Sequence, residues 1–112
     1  MSAGANLSVT DLRRATRHPV NHMVIVEHLT KGDLELHICN LSAHGFMIDN
    51  APALQRGDRV MIRLPVVGRI EAYVIWTADC RAGFQFERII RLDAMLEILD
   101  RMQPNPRLRR KR

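Results

Sequence analysis

Hydrophobic and polar residues alternate along most of the segment from Val20 to Phe86. A period of two places one set of side chains in a core and the other set in solvent, which is typical of a half-buried β-strand. These alternating runs, together with a continuous apolar run over residues 23–26, predict six short strands, over residues 23–26, 34–39, 46–48, 60–64, 70–76 and 84–86. Turn-forming residues such as Gly32, Pro52 and Gly57 separate the runs.

The fifth predicted strand illustrates how the alternation assigns side chains to the core. Its predicted core set is Ile70, Ala72, Val74 and Trp76, and Glu71, Tyr73 and Ile75 alternate with that set. The chain has five aromatic residues, and most of them fall at positions where the alternation predicts core side chains. They are Phe46, Tyr73, Trp76, Phe84 and Phe86. The sequence therefore predicts no aromatic surface on which nucleobases could stack.

After Phe86 the hydrophobic residues recur every three or four positions, which is typical of an amphipathic helix. The stripe consists of Leu92, Met95, Leu96, Leu99 and Met102. We expect this stripe to pack against the core, and Pro104 and Pro106 to end the helix. Six strands followed by one helix indicate a mainly β fold, a small six-stranded antiparallel β-barrel with a C-terminal α-helix closing one opening.

The chain has 112 residues and a formal net charge of +5, a length that suits one domain. The charge is unevenly distributed: residues 1–20 carry +2, residues 21–100 carry −3 and residues 101–112 carry +6. The middle of the chain is therefore not basic, although the total charge favours an anionic partner. We divide the chain into a flexible lead-in over residues 1–11, a folded domain over 12–102 and a basic disordered tail over 103–112.

Several classes of protein do not fit the sequence. No run of 18 apolar residues and no signal peptide are present, so we expect no membrane span and a cytoplasmic location. Cys39 and Cys80 are isolated in the sequence, and we expect both to be reduced and at least partly buried. Five histidines lack metal-ligand spacing, and recognised catalytic motifs are missing, so we expect no metal, no cofactor and no enzymatic activity.

Two polar clusters are the candidate binding residues. Arg13, Arg14 and Arg17 lie just before the first predicted strand, where their side chains are free to converge on a ligand. Asn40, Ser42 and Gly45 lie between the second and third predicted strands. Asn, Ser and Gly are also ordinary turn residues, so each cluster alone is weak evidence. Arg59 and Arg63 repeat the arginine spacing inside a strand, where we expect both side chains to point into solvent.

The order of the two clusters, Arg-x-x-x-Arg followed by Asn-x-Ser-x-x-Gly, resembles the signature of the PilZ domain family, receptors for the bacterial second messenger cyclic di-GMP. The resemblance implies a PilZ-like β-barrel whose ligand-binding residues are Arg13, Arg17, Asn40, Ser42 and Gly45. We add Arg14 to the candidate ligand-binding residues because it belongs to the same arginine cluster. Arginine suits this ligand because its guanidinium group can bind the O6 and N7 atoms of guanine or a phosphate, and can stack on a purine.

We expect the arginine segment to close over the barrel when the nucleotide binds, and a downstream effector protein to recognise the rearranged surface. Two alternatives remain open from the sequence. In the first, the barrel binds nucleic acid through its basic tail, although the low aromatic content argues against it. In the second, the protein is an adaptor whose affinity for a protein partner does not depend on the nucleotide.

Overall fold

The computed structural model describes residues 16–102 as a barrel followed by a helix. The strands are β1 (His18–His28), β2 (Gly32–Leu41), β3 (Gly45–Ile48), β4 (Arg59–Leu64), β5 (Gly68–Ala78) and β6 (Arg81–Phe86), and the helix is α1 (Leu92–Arg101). The predicted mainly β fold with a C-terminal helix is confirmed. All six predicted strands are present, and β1 begins earlier than predicted.

The six strands are all antiparallel to their neighbours and close in the order β1-β2-β3-β6-β5-β4. The barrel closes where β1 pairs with β4, through Glu27 opposite Met61 and His28 opposite Val60. Since β2 pairs with β1 over most of its length, the start of β1 lies beside the end of β2. This arrangement brings distant parts of the sequence together at one end of the barrel.

The core is formed by the inward-facing residues of the alternating runs. Val26, Leu36, Ile62, Ile70 and Val74 are almost completely buried, as the period-two pattern predicts. Burying each such side chain stabilises the fold by about 1.5–3 kcal/mol. The predicted outward orientation of Arg59 and Arg63 is also confirmed, because both are exposed on β4.

The predicted face of the helix is partly wrong. Met95 and Met102 are buried, but Leu96 is 54% exposed and the residue buried between the two methionines is Ile98. Leu92 and Leu99 are half-buried. The helix therefore contacts the barrel along a narrow line through Met95, Ile98 and Met102, and Leu96 lies on its flank because successive residues are about 100° apart around a helix.

Three of the strands are irregular. The register of paired residues shifts between Pro19 and His22 in β1, between Ile38 and Asn40 in β2, and between Val74 and Trp76 in β5. An extra residue in one strand of a pair reverses which face the following side chains occupy. Strict alternation, on which the sequence prediction rests, therefore fails after the irregularities of β2 and β5.

Both cysteines are free thiols, Cys39 buried and Cys80 exposed. The expectation that Cys80 is at least partly buried is wrong, because it lies in the tight turn between β5 and β6, where Asp79 has a φ of 57°. Within residues 16–102 no helix is long and apolar enough to cross a membrane. Among the same residues, no three side chains from His, Cys, Asp and Glu are grouped so that they could hold a metal ion.

Candidate functional site

The pairing of β1 with β2 brings the two candidate clusters together. His18 and Pro19 lie opposite Leu41 and Asn40, so Arg17, which directly precedes β1, reaches the end of β2. Arg17, Asn40, Ser42 and Gly45 all line one open cleft on the barrel. Arg13 and Arg14 lie outside the residues that the structure describes.

The residues from Ser42 to Gly45 form a closed turn between β2 and β3. The backbone N–H of Ser42 donates to the carbonyl of Gly45 at 2.8 Å. The hydroxyl oxygen of Ser42 accepts hydrogen bonds from the N–H groups of His44 and Gly45, at 3.2 and 3.3 Å. Ser42 therefore holds the shape of this turn, as serine commonly does, and its hydroxyl oxygen already has two partners here.

Gly45 is required by the close approach of β3 to β6. It lies opposite Gln85 in the pairing of these strands, and a Cβ atom there would overlap the carbonyl oxygen of Phe84 and lie 2.9 Å from its carbonyl carbon. The φ of Gly45 is not among the positive values found in the barrel's turns. Glycine is therefore needed at this position because of the neighbouring β6 backbone and not because of a positive φ.

Asn40 reaches the cleft because of the irregularity in β2. Ile38 pairs with Ile48 and Asn40 pairs with Met47, so Cys39 is the extra residue, and its thiol donates to the carbonyl of Met47 at 3.5 Å. The side chain of Asn40 is half-buried and has no hydrogen bond to any other residue within 16–102. Its carboxamide therefore offers both donors and an acceptor to a ligand.

Trp76 also reaches the cleft through an irregularity, and its predicted position in the core is wrong. The extra residue Ile75 lets Val74 pair with Phe84 while Trp76 pairs with Gly83. Trp76 thus shares a face with Gly83, and a Cβ on Gly83 would lie 2.6 Å from the Cε2 atom of the indole. The half-buried ring lies across the backbone of β6, so the expectation that the barrel lacks an aromatic surface is also wrong.

The strand pairings align the cleft residues across four strands. Asn40 lies opposite Met47, Met47 opposite Gly83 and Gly83 opposite Trp76. Sequence reasoning did not select Trp76, Met47, Gln85 or His44 as site residues, although all four line the cleft. The sequence does contain one signal for the position of Trp76, the glycine at position 83 beside the core phenylalanines. A glycine in a strand allows a large ring to lie across that strand.

The ionisable side chains that line the described part of the cleft are basic. Among residues 16–102, its lining contains Arg17 and His44 and no Asp or Glu, although residues 21–100 as a whole carry −3. Arg17 is exposed and makes no ion pair with any acid in the described part of the chain. By contrast, Arg59 pairs with Glu71 at 3.3 Å, and its Cζ atom lies 6.0 Å from the ring centre of Tyr73.

Within the described part of the chain, the cleft therefore combines a guanidinium group that makes no ion pair, a carboxamide that makes no hydrogen bond and an aromatic ring. An anion is favoured beside Arg17 because no carboxylate of residues 16–102 competes for the guanidinium group. A planar ring is favoured beside Trp76 because aromatic faces stack on one another. These features together suit a ligand that carries both negative charge and a planar heterocycle.

Comparison with known proteins gives a family. The family model described as PilZ domain matches residues 11–102, nearly the whole chain. The match includes both arginine positions outside the described residues, the whole barrel and α1. No curated protein matches the sequence.

Proposed function

Because the chain belongs to the PilZ domain family, a family of cyclic di-GMP receptors, we propose that its cleft binds cyclic di-GMP. The observation that carries this proposal is the position of Arg17 beside Asn40, Ser42 and Gly45, in a cleft that no carboxylate of the described residues lines. Cyclic di-GMP supplies the matching groups, two phosphates and two guanines.

Each cleft residue has a role that follows from its surroundings. Arg17 donates to a phosphate, or to the O6 and N7 atoms of a guanine, and Arg13 and Arg14 add cations from the preceding segment. Asn40 binds a guanine edge through its free carboxamide, while Ser42 and Gly45 hold the turn. Trp76 stacks on a guanine ring. A charge-assisted hydrogen bond contributes about 1.5–3 kcal/mol, and micromolar affinity needs about −8.2 kcal/mol, so several of these contacts must act together.

The nucleotide also couples the arginine segment to the barrel. Arg17 is exposed and directly precedes β1, so a ligand held by Asn40 and Arg17 fixes the chain that leads into the barrel. We propose that this segment closes over the ligand and that an effector protein recognises the new surface. PilZ domains act as receptors, and we propose that this protein likewise signals by binding and catalyses no reaction.

The proposal can be tested through Trp76, the single tryptophan of the sequence. Titration of cyclic di-GMP should change its fluorescence with a micromolar dissociation constant. Arg17→Ala should weaken binding at least about tenfold, since a charge-assisted contact is lost. Arg63→Ala is the matched control, because Arg63 is exposed on β4 and does not line the cleft, and it should leave the affinity unchanged.

Other outcomes would identify the alternative functions. Saturable binding of oligonucleotides that falls steeply with salt, and that is lost on deletion of residues 104–112, would favour a nucleic-acid-binding barrel. A protein partner whose affinity is the same with and without cyclic di-GMP would favour a nucleotide-independent adaptor. In either case, a wild-type protein that does not respond to cyclic di-GMP refutes the proposed function.

A further inference from the structure

His44 is a cleft residue that neither the candidate clusters nor the proposed contacts include. It occupies a variable position of the Asn-x-Ser-x-x-Gly segment, between Ser42 and Gly45. Its side chain is half-buried and lines the cleft together with Arg17, Asn40 and Gln85. A titratable ring in a cleft that suits an anion is a candidate ligand contact.

The backbone of His44 is fixed from two sides. Its N–H donates to the Ser42 hydroxyl oxygen at 3.2 Å, and its carbonyl accepts from the N–H of Phe86 at 2.8 Å. The neighbouring carbonyl of Ala43 accepts from the N–H of Ile90 at 2.9 Å. The ring is thus attached to a rigid part of the barrel wall, an arrangement that lowers the entropic cost of contacting a ligand.

The imidazole ring itself has no partner within residues 16–102, since the hydrogen bonds of His44 there involve only its backbone. The charged and titratable groups of the adjoining segments are Arg17 and His18 at the start of β1, Glu87 and Arg88 after β6, and Arg91 and Asp93 at the start of α1. Glu87 pairs with Arg88 at 3.2 Å and Arg91 pairs with Asp93 at 3.3 Å. Each of these two acids thus pairs with an arginine of its own segment and makes no hydrogen bond to the His44 ring, which leaves the ring able to bind an anionic ligand.

We propose that His44 is a further ligand-binding residue, whose imidazolium donates a hydrogen bond to a phosphate oxygen of the bound nucleotide. The proposal rests on the proposed function, because it needs an anionic ligand in the cleft. The phosphate favours the protonated ring, so the complex holds more protons than the free protein and ligand together. The proton comes from the solvent, and no covalent bond of the ligand changes.

This proton uptake makes binding depend on pH. A complex that holds an extra proton is favoured as the pH falls, by at most about tenfold in affinity per pH unit for one proton. Histidine normally titrates between about pH 5 and 8, and the phosphodiesters of the ligand stay charged throughout this interval. Affinity should therefore rise on acidification across this interval. Arg17 keeps its charge and adds no pH dependence of its own.

The test is calorimetric titration of the whole protein with cyclic di-GMP between about pH 5.5 and 8, in pairs of buffers that differ in ionisation enthalpy. The wild type should take up a fraction of a proton on binding near pH 7, and its affinity should fall about threefold to tenfold from the acid to the alkaline end. His44→Asn should remove most of both effects. His18→Asn is the matched control, since His18 lies at the same end of the barrel but does not line the cleft.

The outcomes separate this inference from the function on which it rests. A wild type that binds cyclic di-GMP with no proton uptake and no pH dependence overturns the role of His44, while leaving the proposed function intact. A pH dependence of the affinity that persists in His44→Asn and disappears in His18→Asn also overturns the role of His44. A wild type that does not bind the nucleotide at any pH refutes the proposed function itself.

Discussion

Glycine 45 and glycine 83 show how the absence of a side chain shapes the site in two different ways. At position 45 the neighbour that fills the space is backbone, the carbonyl group of Phe84. At position 83 the neighbour is a side chain, the indole ring of Trp76. A backbone neighbour cannot move without separating two strands, whereas a side chain can rotate away.

We therefore expect Gly45→Ala and Gly83→Ala to have different consequences. Gly45→Ala should lower the free energy of unfolding by about 2 kcal/mol or more, because an added Cβ forces β3 away from β6. Gly83→Ala should cost less stability but displace the indole and weaken ligand binding. Urea unfolding, together with calorimetric titration of each variant, measures both effects. Equal losses of stability in the two variants would contradict this interpretation.

Trp76 lines the cleft and is half-buried, and we propose that it stacks on the ligand. Trp76→Ala should weaken cyclic di-GMP binding by about 1–3 kcal/mol, the range for a base stacked on an aromatic ring, while Trp76→Phe retains part of the affinity. Tyr73→Ala is the control, since Tyr73 lies on the same strand and does not line the cleft. If Trp76→Ala binds as tightly as the wild type in calorimetry, the stacking role is wrong.

At the level of the strands, the alternation of the sequence predicted the six elements because burial imposes a period of two on each of them. It did not predict which side chains reach the cleft. Asn40 and Trp76 do so through extra residues in β2 and β5, and the position of an extra residue depends on the register of neighbouring strands. Such irregularities are frequent at barrel rims and binding sites. A single sequence gives little signal for them beyond Gly83.

A second set of polar side chains, His28 and Asp58, lies away from the cleft, where β1 pairs with β4 to close the barrel. His28, 7% exposed, pairs with β4 and lies 3.1 Å from the carboxylate of Asp58 through its Nε2 atom. Its Nδ1 atom accepts from the backbone N–H groups of Thr30 and Lys31, both at 3.1 Å. Since Nδ1 is an acceptor, the proton of the neutral ring is on Nε2 and is donated to Asp58.

The Asp58 carboxylate should make the barrel sensitive to acid. A hydrogen bond from the backbone N–H of Gln55, followed by the hydrogen bond from His28, holds the pKa of Asp58 below its usual 3.8. Because the pKa of Asp58 is lower in the folded state than in the unfolded state, the ionised carboxylate stabilises the fold. This stabilisation is present at pH values above about 4 and is lost as the pH falls through the folded-state pKa.

Asp58→Asn tests this contribution by urea unfolding at pH 7 and at about pH 3. The free energy of unfolding of the variant at pH 7 should be lower by about 1.5 kcal/mol. This value is at the low end of the range for a hydrogen bond to a charged group, because the carboxylate is partly exposed. The difference from the wild type should shrink at about pH 3. A difference of the same size at both pH values would show that Asp58 acts through its shape and not its charge.

For the molecule as a whole, placement of charge is more informative than its total. The net charge of +5 alone suggests a polyanion, but among the described residues the cleft is lined by the exposed Arg17 and by no acid. The motif residues Arg17, Asn40, Ser42 and Gly45 could be chosen from the sequence because their order resembles a family signature. His44 could not, since its position in that signature is variable and its place in the cleft depends on the folded turn.

The basic C-terminal residues should be dispensable for nucleotide binding. Deletion of residues 104–112, which removes five of the basic groups, should change the affinity for cyclic di-GMP less than about twofold at physiological salt, which weakens the long-range attraction between charges. Calorimetry on the truncated and full chains measures the difference. A large loss of affinity on truncation would place the ligand elsewhere than in the cleft described above.

The most direct measurement of the central claim is a calorimetric titration of the wild-type chain with cyclic di-GMP, repeated on Arg17→Ala, Asn40→Ala and the double variant. If the two clusters hold one ligand, the wild type gives a saturable heat with a micromolar dissociation constant. The two single substitutions should then each weaken binding, and their effects should not add. The absence of binding heat in a folded wild type would contradict the claim, and so would an affinity that neither substitution changes.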